Sequence, residues 1–413
     1  MKKNLSEFIK KIPKSDLHVH LDGSVRVETI INLSKQQKLA LPSFTVEGLN
    51  KLVFKDRYAN LSEYLKGFSF VTPIMQTPEN LEQISYEFAQ DNINEGVCYV
   101  EVRFAPQFHI NDHQNIDQVL LSVNKGLSKA KTEYNKKPKV KSGELPEFNY
   151  GIIVCAMRSF GKGFSKFFDR SLELHKKASL NSIFAMTAHK LAKSSINTRD
   201  KYDIPIVGLD LAGDEVISNL PIHYKNAYHF AHKHYMHLTA HAGETLGPES
   251  VCQAVTELCV DRIGHGFYLF SEDKISDPTI QDKSAYIKHL VQYMADKRIT
   301  IEVCLTSNMQ TIPSLKNLKH HSFAQMLEQH LSTVICTDNR TVSKTNLTKE
   351  IMLAIQNFNL TKTTLKDLIV SSFKRSFYPG TYAEKRNYVK KIVSRYDLLE
   401  PLFLTGNSED VFI

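Results

Sequence analysis

Histidines 18 and 20 lie in the run Asp16-Leu17-His18-Val19-His20-Leu21-Asp22-Gly23, where apolar and polar residues alternate. A period of two predicts a strand, and residues two apart on a strand share a face. Two imidazoles projecting together can share one cation. Similar chemistry recurs along the chain: His241 with Glu244 three positions later, His265 before a glycine, Asp214 after Gly213, and Asp338 before Asn339. Each group stands at the end of an apolar run. His18, His20, His241 and Asp338 form a nitrogen-rich ligand set with one carboxylate, which suits zinc and leaves a place for water. Zinc lowers the pKa of a bound water to about 7. Glu244 could hold or deliver a proton, and His265 could orient or deprotonate that water. Taken singly, Glu244 reads as a solvated loop acid and His265 as a hydrogen-bonded core histidine. What favours the chemical reading is a fold that would gather all of them.

Eight strand-like runs supply that fold: the stretch at 16–22, then 97–104, 150–155, 206–211, 236–241, 261–265, 300–305 and 333–338. Helical patterns separate them, at 26–38, 60–75, 79–95, 116–134, 164–193 and 224–234, from 247 onward, and at 287–297 and 323–329. Two or three more helices complete the chain, one at 364–377. Residues 136–148 read as a polar loop insertion. Alternating strands and helices predict parallel strands, and eight such units predict an α/β fold, a (β/α)₈ TIM barrel with extra helices at the termini. A doubly wound open sheet is the runner-up, but no Gly-x-Gly-x-x-Gly loop follows any strand. No linker or repeat divides residues 1–413, so we expect a single domain. A barrel collects its reactive residues at the C-terminal ends of its strands, where these residues stand. The apolar stripe Leu61, Tyr64, Leu65 and Phe68 reads equally as core or as a lid over that mouth.

Composition bounds the rest. The chain has 413 residues, is 42% hydrophobic and carries a formal charge of +8. No apolar run is long enough to span a bilayer, and the N-terminus lacks a secretory h-region. Six cysteines without a Cys-x-x-Cys motif read as buried free thiols, so a cytoplasmic location is expected. The lysines at 136, 137, 139 and 141 lack interleaved aromatics and read as a solvated loop, not a nucleic-acid surface. No obligatory protein partner is evident.

Several segments, in order, resemble the adenosine deaminase family: Ser15-Asp16-Leu17-His18-Val19-His20-Leu21-Asp22-Gly23-Ser24, Tyr99-Val100-Glu101-Val102-Arg103, Gly208-Leu209-Asp210-Leu211-Ala212-Gly213-Asp214-Glu215, His241-Ala242-Gly243-Glu244, Arg262-Ile263-Gly264-His265-Gly266 and Cys336-Thr337-Asp338. The resemblance implies a barrel holding one Zn²⁺ per chain on His18, His20, His241 and Asp338. It implies that Glu244 donates a proton to purine N1 and that His265 positions the attacking water. The substrate would be adenosine or 2′-deoxyadenosine, and the products inosine and ammonia, a purine-salvage reaction. His20, Asp22, Gly213 and Asn339 would contact the nucleoside: Asp22 the 5′-hydroxyl, and Gly213 purine N3 through its amide. Leu61, Tyr64, Leu65 and Phe68 would form the lid. Family members usually carry Thr-Asp-Asp where this chain has Thr337-Asp338-Asn339. The second acid must be protonated to donate to purine N7, whereas the Asn339 amide donates as it stands.

Rivals are fewer than the scaffold allows. Asp22 would repel the phosphate of AMP. The absence of a lysine in Leu211-Ala212-Gly213-Asp214 argues against a bridged pair of metals. The His-x-Glu with Pro-Cys-x-x-Cys signature of cytidine deaminases is missing. A deaminase of adenine or of aminodeoxyfutalosine on the same scaffold is the alternative. A catalytically dead nucleoside-binding relative is the alternative of a different class.

Overall fold

A computed structural model describes residues 2–404 and 412. Its eight strands are β1 (Lys14–His20), β2 (Val97–Phe104), β3 (Asn149–Met157), β4 (Ile206–Ala212), β5 (His237–Ala242), β6 (Arg262–His265), β7 (Thr300–Val303) and β8 (Ser332–Ile335). Each pairs in parallel with the next, in chain order. Helices connect them, which is the expected (β/α)₈ barrel. The ring closes between β1 and the residues after β8. His20 N donates to Asp338 O at 2.7 Å, and Asp338 N donates to His18 O at 2.8 Å. Closure is thus made by the same residues whose side chains were singled out above.

The strands are buried on both faces, so they read as nearly continuous apolar runs. β2 and β4 have no exposed position. The charged exceptions meet inside the barrel. Arg103 reaches Asp210 at 3.1 Å and Glu302 at 2.9 Å, joining β2 to β4 and β7. Arg262 reaches Glu302 at 2.6 Å and also pairs with Glu101. All of these pairs except Arg262 with Glu302, which sit on the neighbouring β6 and β7, join non-adjacent strands, so the contacts cross the interior.

Several predicted elements change shape. The helix expected at 60–75 is one α-helical turn, Leu61–Leu65, followed by 3₁₀ turns at Lys66–Phe70 and Thr72–Met75. Pro73 has no N–H to continue an α-helix. The stretch 164–193 divides into Lys166–Leu174 and Leu180–Tyr202, the second capped by the Ser179 hydroxyl. The strand expected at 300–305 stops at Val303, and a helix, Leu305–Thr311, begins. The insertion at 136–148 contains the short helix Pro138–Lys141, and its base is clamped by Asn135, whose amide exchanges two hydrogen bonds with the Phe148 backbone. At the termini, Lys2–Lys11 packs on Tyr382–Phe403 through the Phe8 and Tyr396 rings, whose centroids are 5.4 Å apart. Cys98, Cys155, Cys304 and Cys336 are buried free thiols; Cys252 is half-buried, and Cys259, contrary to expectation, is exposed. No described helix is long and apolar enough to cross a membrane.

Candidate active site

β1 ends with His18 and His20 on one face, as the alternation predicts. β5 brings His241 toward them, and the turn after β8 brings Asp338. One donor atom from each of these four residues lies within 4.8 Å of the others. His18 Nε2 is 3.3 Å and His20 Nε2 3.4 Å from Asp338 Oδ1, while His20 Nε2 is 3.3 Å from His241 Nε2. His18 Nε2 is buried and has no hydrogen-bond partner. A buried polar atom without a partner is costly unless something else satisfies it. Three imidazoles and a carboxylate converging on such a point form a site capable of holding a divalent metal.

The far nitrogens of His18 and His241 are held as ligand histidines require. Glu302 Oε2 accepts from His18 Nδ1 at 2.7 Å, and Asp210 lies 3.1 Å from His241 Nδ1. Burial pushes the His20 and His265 imidazoles well below their ordinary value, so their rings are neutral. Burial would raise the Asp338 carboxyl, but the hydrogen bond from His18 and the neighbouring histidines hold it below the usual range.

The cluster opens into a cavity of about 850 Å³. His20, His241 and Asp338 line it; His18 lies behind them, fully buried. Glu244, His265, Asp22, Gly213 and Asn339 line the same cavity, as do Leu61, Tyr64, Leu65 and Phe68. Every candidate site residue read from the sequence except His18 therefore faces one space. Burial pushes the Glu244 carboxyl up to about 8, so it keeps its proton at neutral pH. Its Oε1 lies 3.5 Å from His265 Nε2. Asp22 Oδ1 is buried and unpartnered, and burial raises that carboxyl to about 7. Gly213 has φ +104°, a conformation that favours glycine. The Asn339 amide Nδ2 donates to the Tyr64 hydroxyl at 2.7 Å, which engages one of its two N–H groups.

The chain matches the family model described as Adenosine deaminase over residues 13–166 and 176–395. The chain belongs to the adenosine deaminase family. An adenosine deaminase of Clostridium kluyveri is 30% identical over 376 residues, covering 90% of this chain and 92% of that protein. Among solved structures, a Burkholderia ambifaria amidohydrolase with bound Zn superposes with a TM-score of 0.74 at 17% identity, covering 98% of this chain and 95% of that one. The N6-mAMP deaminase of Arabidopsis gives a TM-score of 0.70 at 23% identity, covering 94% and 99%. These two likenesses carry the fold. Family membership and the His–His–His–Asp cluster together make the chain an enzyme, a metal-dependent hydrolytic deaminase of the adenine, adenosine and AMP group.

Within this deaminase, further residues that the sequence reading did not assign hold the site in place. Glu215 accepts from the backbone N–H groups of Gly243, Glu244, Thr245 and Leu246 at 2.8–3.0 Å and from the Ser250 hydroxyl. Burial alone would raise its carboxyl, but Arg158, Ser250 and these amides hold it below its ordinary value. One carboxylate thus fixes the loop that carries Glu244. Across the mouth, the Ser62 hydroxyl donates to Asp214, tying the Leu61–Leu65 turn to the end of β4. Phe108, Met157 and Phe164 complete the apolar wall. Glu302, Asp210 and Arg103 were detectable as charges inside apolar strand runs.

Proposed function

We propose that the enzyme catalyses hydrolytic deamination of adenosine and 2′-deoxyadenosine, with one zinc ion held by His18, His20, His241 and Asp338. Zinc, when bound there, supplies a Lewis acid and an activated water. Glu244, protonated at neutral pH, donates to purine N1 and makes C6 electrophilic. His265 holds the attacking oxygen against C6. The Gly213 amide meets N3, and the remaining N–H of Asn339 is available to N7. The turn at 61–65 shields the reaction from bulk water. The supporting chemistry converges on an aminopurine leaving with its C6 amino group replaced by oxygen, and on ammonia as the other product.

The observation that carries the choice of a nucleoside is Asp22. Its buried, unpartnered Oδ1 lies in the same cavity as the metal cluster. A sugar hydroxyl can donate to it, whereas a phosphate is repelled by its ionised form. Lys66 and Lys162 also line the cavity and favour a second reading, a 5′-nucleotide. An ultraviolet assay with adenosine, 2′-deoxyadenosine, adenine and AMP, with and without chelator, separates the two. Adenosine and deoxyadenosine should be consumed in a chelator-sensitive way; preferential turnover of AMP or of adenine would overturn the assignment. Glu244→Gln should keep metal content and fold while kcat falls at least about 100-fold, the minimum expected from losing a general acid.

A further inference from the structure

Asn308 lies in the helix Leu305–Thr311, fully buried, with its amide between two buried histidines. Its Nδ2 is 3.2 Å from His265 Nδ1, and its Oδ1 is 3.0 Å from His321 Nε2. On the far side of that second ring, His321 Nδ1 lies 3.0 Å from the backbone N of Phe323. A backbone N–H can only donate. His321 Nδ1 must therefore accept, and the ring carries its single proton on Nε2. Burial holds this imidazole down at about 3, so it takes up no second proton at neutral pH. The Nε2 proton goes to Asn308 Oδ1, which turns the amide NH₂ toward His265. An NH₂ group can also only donate, so His265 Nδ1 accepts and the His265 proton is left on Nε2. That Nε2 is buried, has no hydrogen-bond partner within the protein, and stands 3.5 Å from Glu244 Oε1 at the wall of the cavity.

We propose that Asn308 and His321 are positioning residues that fix His265 in its Nε2–H tautomer, so that His265 serves the reaction as a hydrogen-bond donor and not as a base. The polarity runs one way, from the Phe323 amide through His321 and Asn308 to His265. Reversing the Asn308 amide would set two N–H donors against each other at His321, a buried conflict that no water relieves in so closed a place. The Nε2–H donates to a lone pair of the oxygen that attacks C6 and aligns it. It cannot take that oxygen's proton, because the neutral ring's only lone pair is committed to Asn308. Proton movement falls instead to Glu244. It becomes a carboxylate on giving its proton to purine N1, and can then take the oxygen's proton and pass it to the departing amine, which leaves as ammonia. The catalytic half of this inference rests on the proposed deamination; the tautomer itself does not.

The test uses the full-length protein loaded with zinc. ¹⁵N-histidine NMR should assign His265 a protonated Nε2 and an acceptor Nδ1; a protonated Nδ1 overturns the proposal, whatever the substrate proves to be. Asn308→Asp presents only acceptor oxygens and draws the His265 proton to Nδ1. This variant should retain zinc and KM while kcat falls about 100-fold, toward the loss that a wrongly protonated catalytic histidine brings. A kcat within threefold of the parent overturns the proposal. His321→Phe removes the anchor and should lower kcat. His321→Gln can accept from Phe323 and donate to Asn308, and should restore it. Equal losses in the Phe and Gln variants would reduce His321 to a packing role. If the parent protein turns over no aminopurine, the proposed function fails while the NMR assignment still decides the tautomer.

Discussion

At Gly264 the wall of the barrel touches the His18 ring. A Cβ there would stand 2.9 Å from His18 Cε1 and 3.3 Å from Nδ1. The ring cannot move away freely, because Glu302 holds the same nitrogen at 2.7 Å. Gly264→Ala should therefore tilt the imidazole off the metal position and weaken metal retention by about 10- to 100-fold, the usual effect of disturbing a ligand's support. Chelator competition measures this, and an unchanged affinity would show that the ring has slack. At this scale much of the cluster could be read from sequence. His18 and His20 announce themselves because strand alternation fixes which side chains share a face. Asn308 and His321 do not, since their meaning lies in partners 43 and 13 positions away. Nor does the backbone strain. Asp338 and His265 sit at φ +61° and +66°, in the left-handed region that non-glycine residues avoid. Such strain persists where surrounding structure imposes it, here at strand ends in the candidate site.

Between elements, helices Pro78–Asn94 and Ile116–Asn135 pack closely on each other, the first against β2 and the second against β3. Gly126 permits it. A Cβ there would lie 2.2 Å from Glu82 O and 2.8 Å from Tyr86 N, backbone atoms that cannot swing aside. Gly126→Ala must separate two long helices and should cost about 1–3 kcal/mol in urea denaturation, the range for overpacking. kcat should be unchanged, because neither helix lines the cavity. A variant as stable as the parent would mean that the pair slides at no cost. The strands were readable because parallel strands buried on both faces are apolar throughout. The helix Leu305–Thr311 was not. Its buried positions include Ser307, Asn308, Gln310 and Thr311, so no apolar stripe marks it. The turns at 61–75 looked like one helix because Leu61, Tyr64, Leu65 and Phe68 keep helical spacing, while Gly67 and Pro73 favour the break. Spacing reports which side faces inward; it does not report where the backbone hydrogen bonds change register.

Across the whole molecule, the barrel is tied together from inside by charge. Arg103, Arg262, Glu101, Asp210 and Glu302 are all fully or almost fully buried, and they link β2, β4, β6 and β7 beneath the cluster. Glu302 is the hub, because its two oxygens serve both guanidiniums and His18. Burial by itself would raise its carboxyl, but Arg103, Arg262 and His18 outweigh that effect and hold it well below the ordinary carboxylate range. A group whose pKa is depressed by folding stabilises the fold above its unfolded value of about 4.3, and the contribution is lost as pH falls through the folded value. Glu302→Gln removes the charge and leaves two buried guanidiniums short of an anion. It should cost about 3–5 kcal/mol at neutral pH, the penalty for breaking a buried ion pair. The sign of the pH dependence follows. Parent and variant, both stripped of metal so that ligand protonation does not intrude, should differ by a constant amount above about pH 5, and the gap should narrow progressively below about pH 4.3 as the parent loses its advantage. Denaturant midpoints across that range measure it. A gap that stays constant into acid would mean that Glu302 acts by shape and hydrogen bonding alone, and that the charge beneath the metal cluster is carried by Asp210.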